Sequence, residues 1–505
     1  MSDWLKRLEA LDPARLAGMR RGVEKESLRA LPTASLALTP HPTALGSALT
    51  HETVTTDFSE SQLELITGVH ASAEACEAQL TEIHQAVHRS LGDEVMWASS
   101  MPCQLPADET IPIGRYGASN IGRAKSVYRM GLGHRYGRRM QTISGIHYNW
   151  SMPGLDNADH FALIRNFRRH SFLLLTLFGA SPALCASFVA GREHGLQPLT
   201  DGTLHMPHGT SLRMGRLGYQ SDAQSSLSVS YNSLDGYAAS LQDALTRPYP
   251  AYEQVGVMNP GGEYNQLSTT LLQIENEFYG TIRPKRTIRS GERPLHALRE
   301  RGVEYIEVRC MDLDPFEPVG IAASTMRFLD IFLLHCWLTD SPDDTPQELG
   351  ALARNQHRTA SAGREPGLKL ERRDGEVSLR DWGRELLAEF APIARKIDEA
   401  LGGSLYQEAL AQSVQRWDRP DELPSARVLA EMRAGHRCSH LDFVAARSVA
   451  ARDHVLDLPV TEGLMARFEQ SARASLDAQA AIEAADTIDF ETFRQQYLDP
   501  AQLQG

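Results

Sequence analysis

Gly22 to Arg29 reads GVEKESLR. With the two-residue period of a β-strand, Glu24 and Glu26 share one face and Val23 and Lys25 the other. An ordinary half-buried strand turns its polar side to bulk water, where the identity of each group hardly matters. Three further segments repeat the pattern with chemically specific polar residues. In Gln62 to Thr67, QLELIT, Gln62 and Glu64 oppose Leu63 and Leu65. In Ile143 to Met152, ISGIHYNWSM, His147 and Asn149 point away from Ile146, Tyr148 and Trp150. In Val303 to Met311, VEYIEVRCM, the face of Tyr305, Glu307 and Arg309 opposes Ile306, Val308 and Cys310. An antiparallel sheet curled into a funnel, polar within and packed without, would collect all four. The expected class is therefore α+β.

The chain has 505 residues, 51 Lys+Arg against 64 Asp+Glu, a formal charge of −13 and 42% hydrophobic residues. This is enough chain to bury a large core. The acidic balance argues against nucleic acid as a partner, because phosphate backbones are met by clustered Lys and Arg. No G-x-x-x-x-G-K-[ST] run is present, and the glycines of Gly131 to Gly137, GLGHRYG, miss the dinucleotide spacing. Any nucleotide must be held otherwise. The densest basic cluster near the acidic segments is Thr281 to Arg286, TIRPKR, so Arg283, Lys285 and Arg286 are candidate phosphate-binding residues on an arm stiffened by Pro284.

Residues 1–338 mix strands, loops and helices and are read as the catalytic region. Residues 339–505 are charge-rich with helical periodicity, as in RDWGRELLAEFAPIARKIDEAL from Arg380 to Leu401, and are read as helical and packed on the same domain. Thr339 to Gln347, TDSPDDTPQ, is the candidate linker. Ser171 to Gly191, SFLLLTLFGASPALCASFVAG, carries no formal charge, yet Gly179 and Pro182 divide it into a short buried helix, a turn and a second apolar segment, so no membrane span is expected. The charged amphipathic start, MSDWLKRLEALDPARLAGM, lacks the apolar run of a signal peptide. Six scattered cysteines form no Cys-x-x-Cys pair and read as buried or inert thiols in a reducing cytoplasm.

If the four strands pair, Glu24, Glu26, Glu64 and Glu307 converge, with Asp57 nearby in TTDFSES. Like charges at such spacing raise one another's pKa, and hard divalent cations resolve the conflict. Mg2+ suits the oxygen ligands. His147 is a more usual ligand for Mn2+ or Zn2+, so it either ligates or orients a carboxylate. Arg309 would neutralise charge on a transferring phosphoryl group. On these residues alone, a metal-dependent phosphohydrolase, which also needs clustered carboxylates, stays open.

GVEKESLR at 22–29, ALGSALTHETVTTDFSESQLELIT at 44–67, YRMGLGHRYGRRMQTISGIHYNWSMP at 128–153, LLQIENEFYGTIRPKR at 271–286 and GVEYIEVRCMDLDPFEPVGI at 302–321 closely resemble the proteobacterial type of glutamate–cysteine ligase. The likeness runs in order over about the first 340 residues. It implies a glutamine synthetase-like funnel and ATP-dependent joining of the glutamate γ-carboxylate to the cysteine amino group through a γ-glutamyl phosphate, the first step of glutathione biosynthesis. By position in these motifs, Glu24, Glu26, Asp57, Glu64, His147 and Glu307 look like Mg2+ (or Mn2+) ligands or their neighbours, and Arg309 like the phosphate-facing arginine. Asp57 is also the candidate proton acceptor. Tyr128, Leu132, Gln141, Tyr237 and Tyr279 fall where the family lines its cysteine pocket, and Asn149 is a further candidate substrate contact. The expected partners are glutamate, cysteine and ATP, with glutathione as a feedback ligand and a monomer as the working state. A γ-glutamyl ligase acting on another amine is the alternative within the family.

Overall fold

β1 (Arg20–Ala30) runs through the middle of an antiparallel sheet that also contains β2 (Val54–Thr56), β3 (Gln62–Ile66), β4 (Val95–Met96), β5 (Ile146–Ser151), β6 (Ile282–Lys285) and β7 (Tyr305–Met311). The computed structural model describes residues 2–218, 222–225, 227–289 and 291–504. The strand order is β2-β3-β1-β5-β7-β6, and β4 pairs the end of β1 through Arg29 and Ala30. Register decides which side chains meet. Glu26 lies opposite Glu64, Glu24 opposite His147, and Gly22, Asn149, Glu307 and Arg283 form one row across four strands. A bulge between Val308 and Met311 adds a residue to β7 opposite β5.

The other face is the core. Val23, Leu63, Leu65, Ile146, Tyr148, Trp150, Ile306 and Val308 are buried there and contribute to one hydrophobic cluster that reaches from Leu8 to Leu503. The helices Ala73–Ser90, Asn157–His170 and Ala323–Leu338 cover it. Their starts follow local rules: Ser72 caps the first through the Ala75 N–H, and Asp156 with Asp159 forms a capping box on the second. Inside this apolar layer Arg21 pairs with Asp330 at 3.0 Å, while Tyr148 and Tyr406 donate to the same carboxylate at 2.7 and 2.9 Å. Tyr406 belongs to the helix Leu405–Asp418, so the knot joins the sheet to the C-terminal helices.

Ser171 to Gly191 divides at Gly179 and Pro182. Phe172–Phe178 is a wholly buried helix, and the chain continues into the strand Ala183–Cys185, which pairs with Thr203–His205. No helix among the described residues is long and apolar enough to cross a membrane. Thr339 to Gln347 is an anchored surface segment: Asn166 donates to the Thr339 and Asp340 carbonyls, Arg165 to the Ser341 carbonyl, and Asp344 pairs with Arg168. Among the described residues the region beyond it is mainly helical and carries a hairpin, Lys369–Arg372 with Gly375–Ser378, where Gly375 takes a φ of 131° that an L side chain rarely adopts.

Candidate active site

The polar face of the sheet gathers Glu24, Glu26, Glu64, His147, Asn149, Glu307 and Arg309. Ligand atoms of Glu24, Glu64 and His147 lie within 4.8 Å of one another. His147 Nδ1 is 3.2 Å from Glu24 and 3.6 Å from Glu307, and its Nε2 is 3.5 Å from Glu26. Asn149 donates to Glu24 at 2.8 Å, and the Gly145 N–H donates to Glu26 at 2.7 Å. At the far side Arg309 and Lys285 lie 2.9 and 3.6 Å from one Glu307 oxygen. The other oxygen, Oε2, is buried without a hydrogen-bond partner, as is Asn149 Oδ1.

The acids divide into two electrostatic groups. Burial, then Asp57, Glu24 and Glu26, push the Glu64 carboxyl well up, and burial with Asp57 also raises Glu26. Burial pushes Glu307 up as well, but Arg309, Lys285, His147 and Arg283 outweigh it and hold that carboxyl well below the usual range. At Glu24 burial is likewise outweighed, chiefly by the His147 hydrogen bond, and the net shift is downward. One end of the cup thus carries cations and an ionised acid, while the other holds surplus acids without enough positive charge beside them.

The family model described as glutamate-cysteine ligase matches residues 5–359. The chain belongs to the glutamate–cysteine ligase family. A glutamate–cysteine ligase of Alcanivorax borkumensis is 48% identical over 512 residues, covering 97% of this chain and 97% of that protein. One from Bordetella petrii is 47% identical over 500 residues, covering 95% and 94%. The crystal structure of the Francisella tularensis glutamate–cysteine ligase in complex with AMP matches with a TM-score of 0.91 at 33% identity, over 96% of this chain and 98% of that one. A bifunctional glutathione synthetase from Pasteurella multocida matches at a TM-score of 0.70 and 23% identity, over 97% of this chain and 60% of that one, which is a likeness of fold. The fold is the glutamine synthetase-like one of the glutamate–cysteine ligases.

Around this ligase-family cup the remaining candidates take different positions. Asp57 sits in the turn between β2 and β3, and its charge acts on Glu26 and Glu64. Its backbone carbonyl accepts from Tyr116 and Arg129. Gln141 donates to the Tyr279 hydroxyl at 2.7 Å, so these two form one wall. Tyr128 and Leu132 lie on the helix Asn120–Tyr136, one turn apart. Tyr237 is buried between the Tyr231 and Phe161 rings, so its contacts are those of a core aromatic. Lys285 reaches Glu307, whereas buried Arg283 donates to the carbonyls of Asn276 and Phe278. Arg286 is bound to the Arg301 carbonyl at 2.7 Å and lies 3.5 Å from Glu304, away from the cup contacts.

Sequence reading missed Arg213, Arg129 and a cavity. Arg213, wholly buried, donates to the Arg309 carbonyl at 2.8 Å and occupies the space where a Gly145 Cβ would stand. Arg129 packs on the Tyr116 ring at 4.5 Å and offsets a part of the upward shift at Glu64. The cavity, of about 480 Å³, opens beside Arg309 and Tyr279 and is lined further by Gln224, Tyr231 and Gln356. Its residues come from distant segments, and no spacing in the sequence joins them.

Proposed function

We propose that this chain forms γ-glutamylcysteine from glutamate and cysteine with ATP, and that Glu24, Glu26, Glu64, His147 and Glu307 hold the divalent cations that accompany the nucleotide. The carrying observation is the anionic cup itself: buried acids in surplus over their cations, with Glu307 Oε2 lacking a hydrogen-bond partner. Hard oxygen donors with one imidazole suit Mg2+, with Mn2+ as the alternative. Such cations supply charge withdrawal from the phosphate oxygens.

The chain's own groups supply the rest. A glutamate γ-carboxylate attacks the γ-phosphorus of ATP, ADP departs, and the acyl phosphate that forms is attacked by the cysteine amine with loss of phosphate. Arg309, held by Glu307, presents a fixed planar cation to the transferring phosphoryl oxygens. Lys285 adds a second positive charge on the same side. Asp57 accepts the proton that the attacking amine releases. Tyr128, Leu132, Gln141 and Tyr279 form the amine pocket, with Tyr237 supporting it from the core. The cavity beside Arg309 takes the nucleotide base, and nucleotide binding itself is supported by the relative crystallised with AMP. The working state is a cytoplasmic monomer with glutathione as feedback ligand; six free thiols, five of them buried, support the reducing compartment.

The test is phosphate release by the purified chain with ATP, Mg2+ and glutamate, comparing cysteine, 2-aminobutyrate, unrelated amines and no amine. Release that needs cysteine, with γ-glutamylcysteine as product, is expected. Equal release without any amine would make the protein a phosphohydrolase, and preference for another amine would change the substrate.

A further inference from the structure

Behind the sheet, away from the carboxylate cup, three softer ligands converge. His170 ends the helix Asn157–His170, and His335 and Cys336 stand together near the end of Ala323–Leu338. A ring nitrogen of each histidine and the Cys336 Sγ lie within 4.8 Å of one another. The two imidazole rings are 5.7 Å apart, centre to centre.

Hydrogen bonding leaves lone pairs at this point. His335 Nε2 is 2.7 Å from a Glu389 oxygen, and a carboxylate accepts, so Nε2 carries a proton and Nδ1 is the nitrogen that has a lone pair to offer in the neutral ring. That Nδ1 is buried without a hydrogen-bond partner, and so is His170 Nδ1. Trp4, Trp382 and Phe390 pack edge-on against the two rings. Aromatic packing explains the burial but satisfies neither nitrogen. A carboxylate on the far nitrogen of an imidazole is also the usual arrangement behind a metal-bound histidine.

We propose that His170, His335 and Cys336 form a second cation site, for a borderline-soft divalent ion of the Zn2+ class. Two imidazoles and a thiolate suit such an ion and offer nothing that oxygen-seeking Mg2+ prefers, so the site is chemically separate from the cup. The charges balance: the ion replaces the Cys336 thiol proton, which passes to solvent, and its two positive charges meet the thiolate and the Glu389 carboxylate. Entry runs past Glu389, whose side chain is 46% exposed, and the half-buried His170. Bound there, the ion would tie the ends of two core helices together. This assigns Cys336 a role where its scattered position in the sequence suggests an inert thiol.

The test uses the full-length protein, stripped by a chelator, kept in excess Mg2+ and titrated with Co2+. A near-ultraviolet thiolate-to-cobalt charge-transfer band is expected, saturating at one equivalent. It should vanish in Cys336→Ala and require at least tenfold more Co2+ in His170→Gln and Glu389→Gln. No band in the wild type, a band that survives Cys336→Ala, or unchanged affinity in His170→Gln overturns the proposal. Because Cys336→Ala leaves a gap in the core, zinc-edge X-ray absorption on the Zn2+-loaded wild type reads the ligands without substitution: sulfur with imidazole nitrogen is expected, and a sulfur-free shell overturns it.

Discussion

Glu26 and Glu64 face each other across β1 and β3, and both carboxyls are raised. Above the ordinary carboxylate range the folded protein therefore keeps protons that the unfolded chain has released. The contribution of these two groups to metal-free stability falls as pH rises through the raised range. A bound cation takes the place of those protons and reverses the sign. The increase in Tm caused by Mg2+ should thus grow as the pH rises above the ordinary carboxylate range. Comparing melts with and without Mg2+ isolates the cup, because neutral buried histidines such as His84 and His88 titrate alike in both. An increase independent of pH would remove Glu26 and Glu64 as ligands.

Glu307→Gln removes the charge that holds Arg309 and Lys285 together. Turnover should fall roughly 10²–10³-fold, the scale for losing an electrostatic group aimed at the transition state. Circular dichroism should be unchanged. Initial-rate phosphate release checks the loss, and activity within twofold of wild type would reject the assignment.

Arg309→Lys keeps the charge but loses the planar fork. A kcat at least tenfold lower with ATP affinity less affected is expected, since the group acts on charge that develops during transfer. Steady-state kinetics across ATP concentrations separate the two effects.

Asp330→Ala would leave Arg21 charged and buried without its partner. The expected cost is about 3–5 kcal/mol, read from urea unfolding. Arg21 and Asp330 lie on the packed side of the sheet, so residual activity in the fraction that stays folded should be close to normal.

Gly145→Ala would drive a methyl group into the Arg213 guanidinium, which also supports the Arg309 carbonyl. Glutamate-dependent turnover should drop at least tenfold while the fold survives, a change that steady-state assays and a melting curve report together.

The alternation in four short segments was enough to place Glu24, Glu26, Glu64, His147, Asn149 and Glu307 on one face, because a period of two fixes sides without knowing the neighbours. It could not reveal what approaches that face from outside the sheet. Arg213 reaches it from a 3-10 turn, Arg129 from a helix, and the cavity beside Arg309 from segments scattered through the chain. Nor could it sort a basic cluster: Lys285 turns to Glu307 while Arg286, one residue on, turns to Glu304. On the packed side it left Lys25 unexplained. There its Nζ lies 2.7 Å from His84 Nε2, and burial pushes it down to about 7.

The family model's match ends at residue 359, yet Tyr406 reaches back from beyond that boundary to the Asp330 carboxylate. A fragment cut where the match stops would strip a donor from a buried anion and uncover the side of the Ala323–Leu338 helix that the Leu405–Asp418 helix covers. For anyone trimming this enzyme, the stretch beyond residue 359 is therefore not spare.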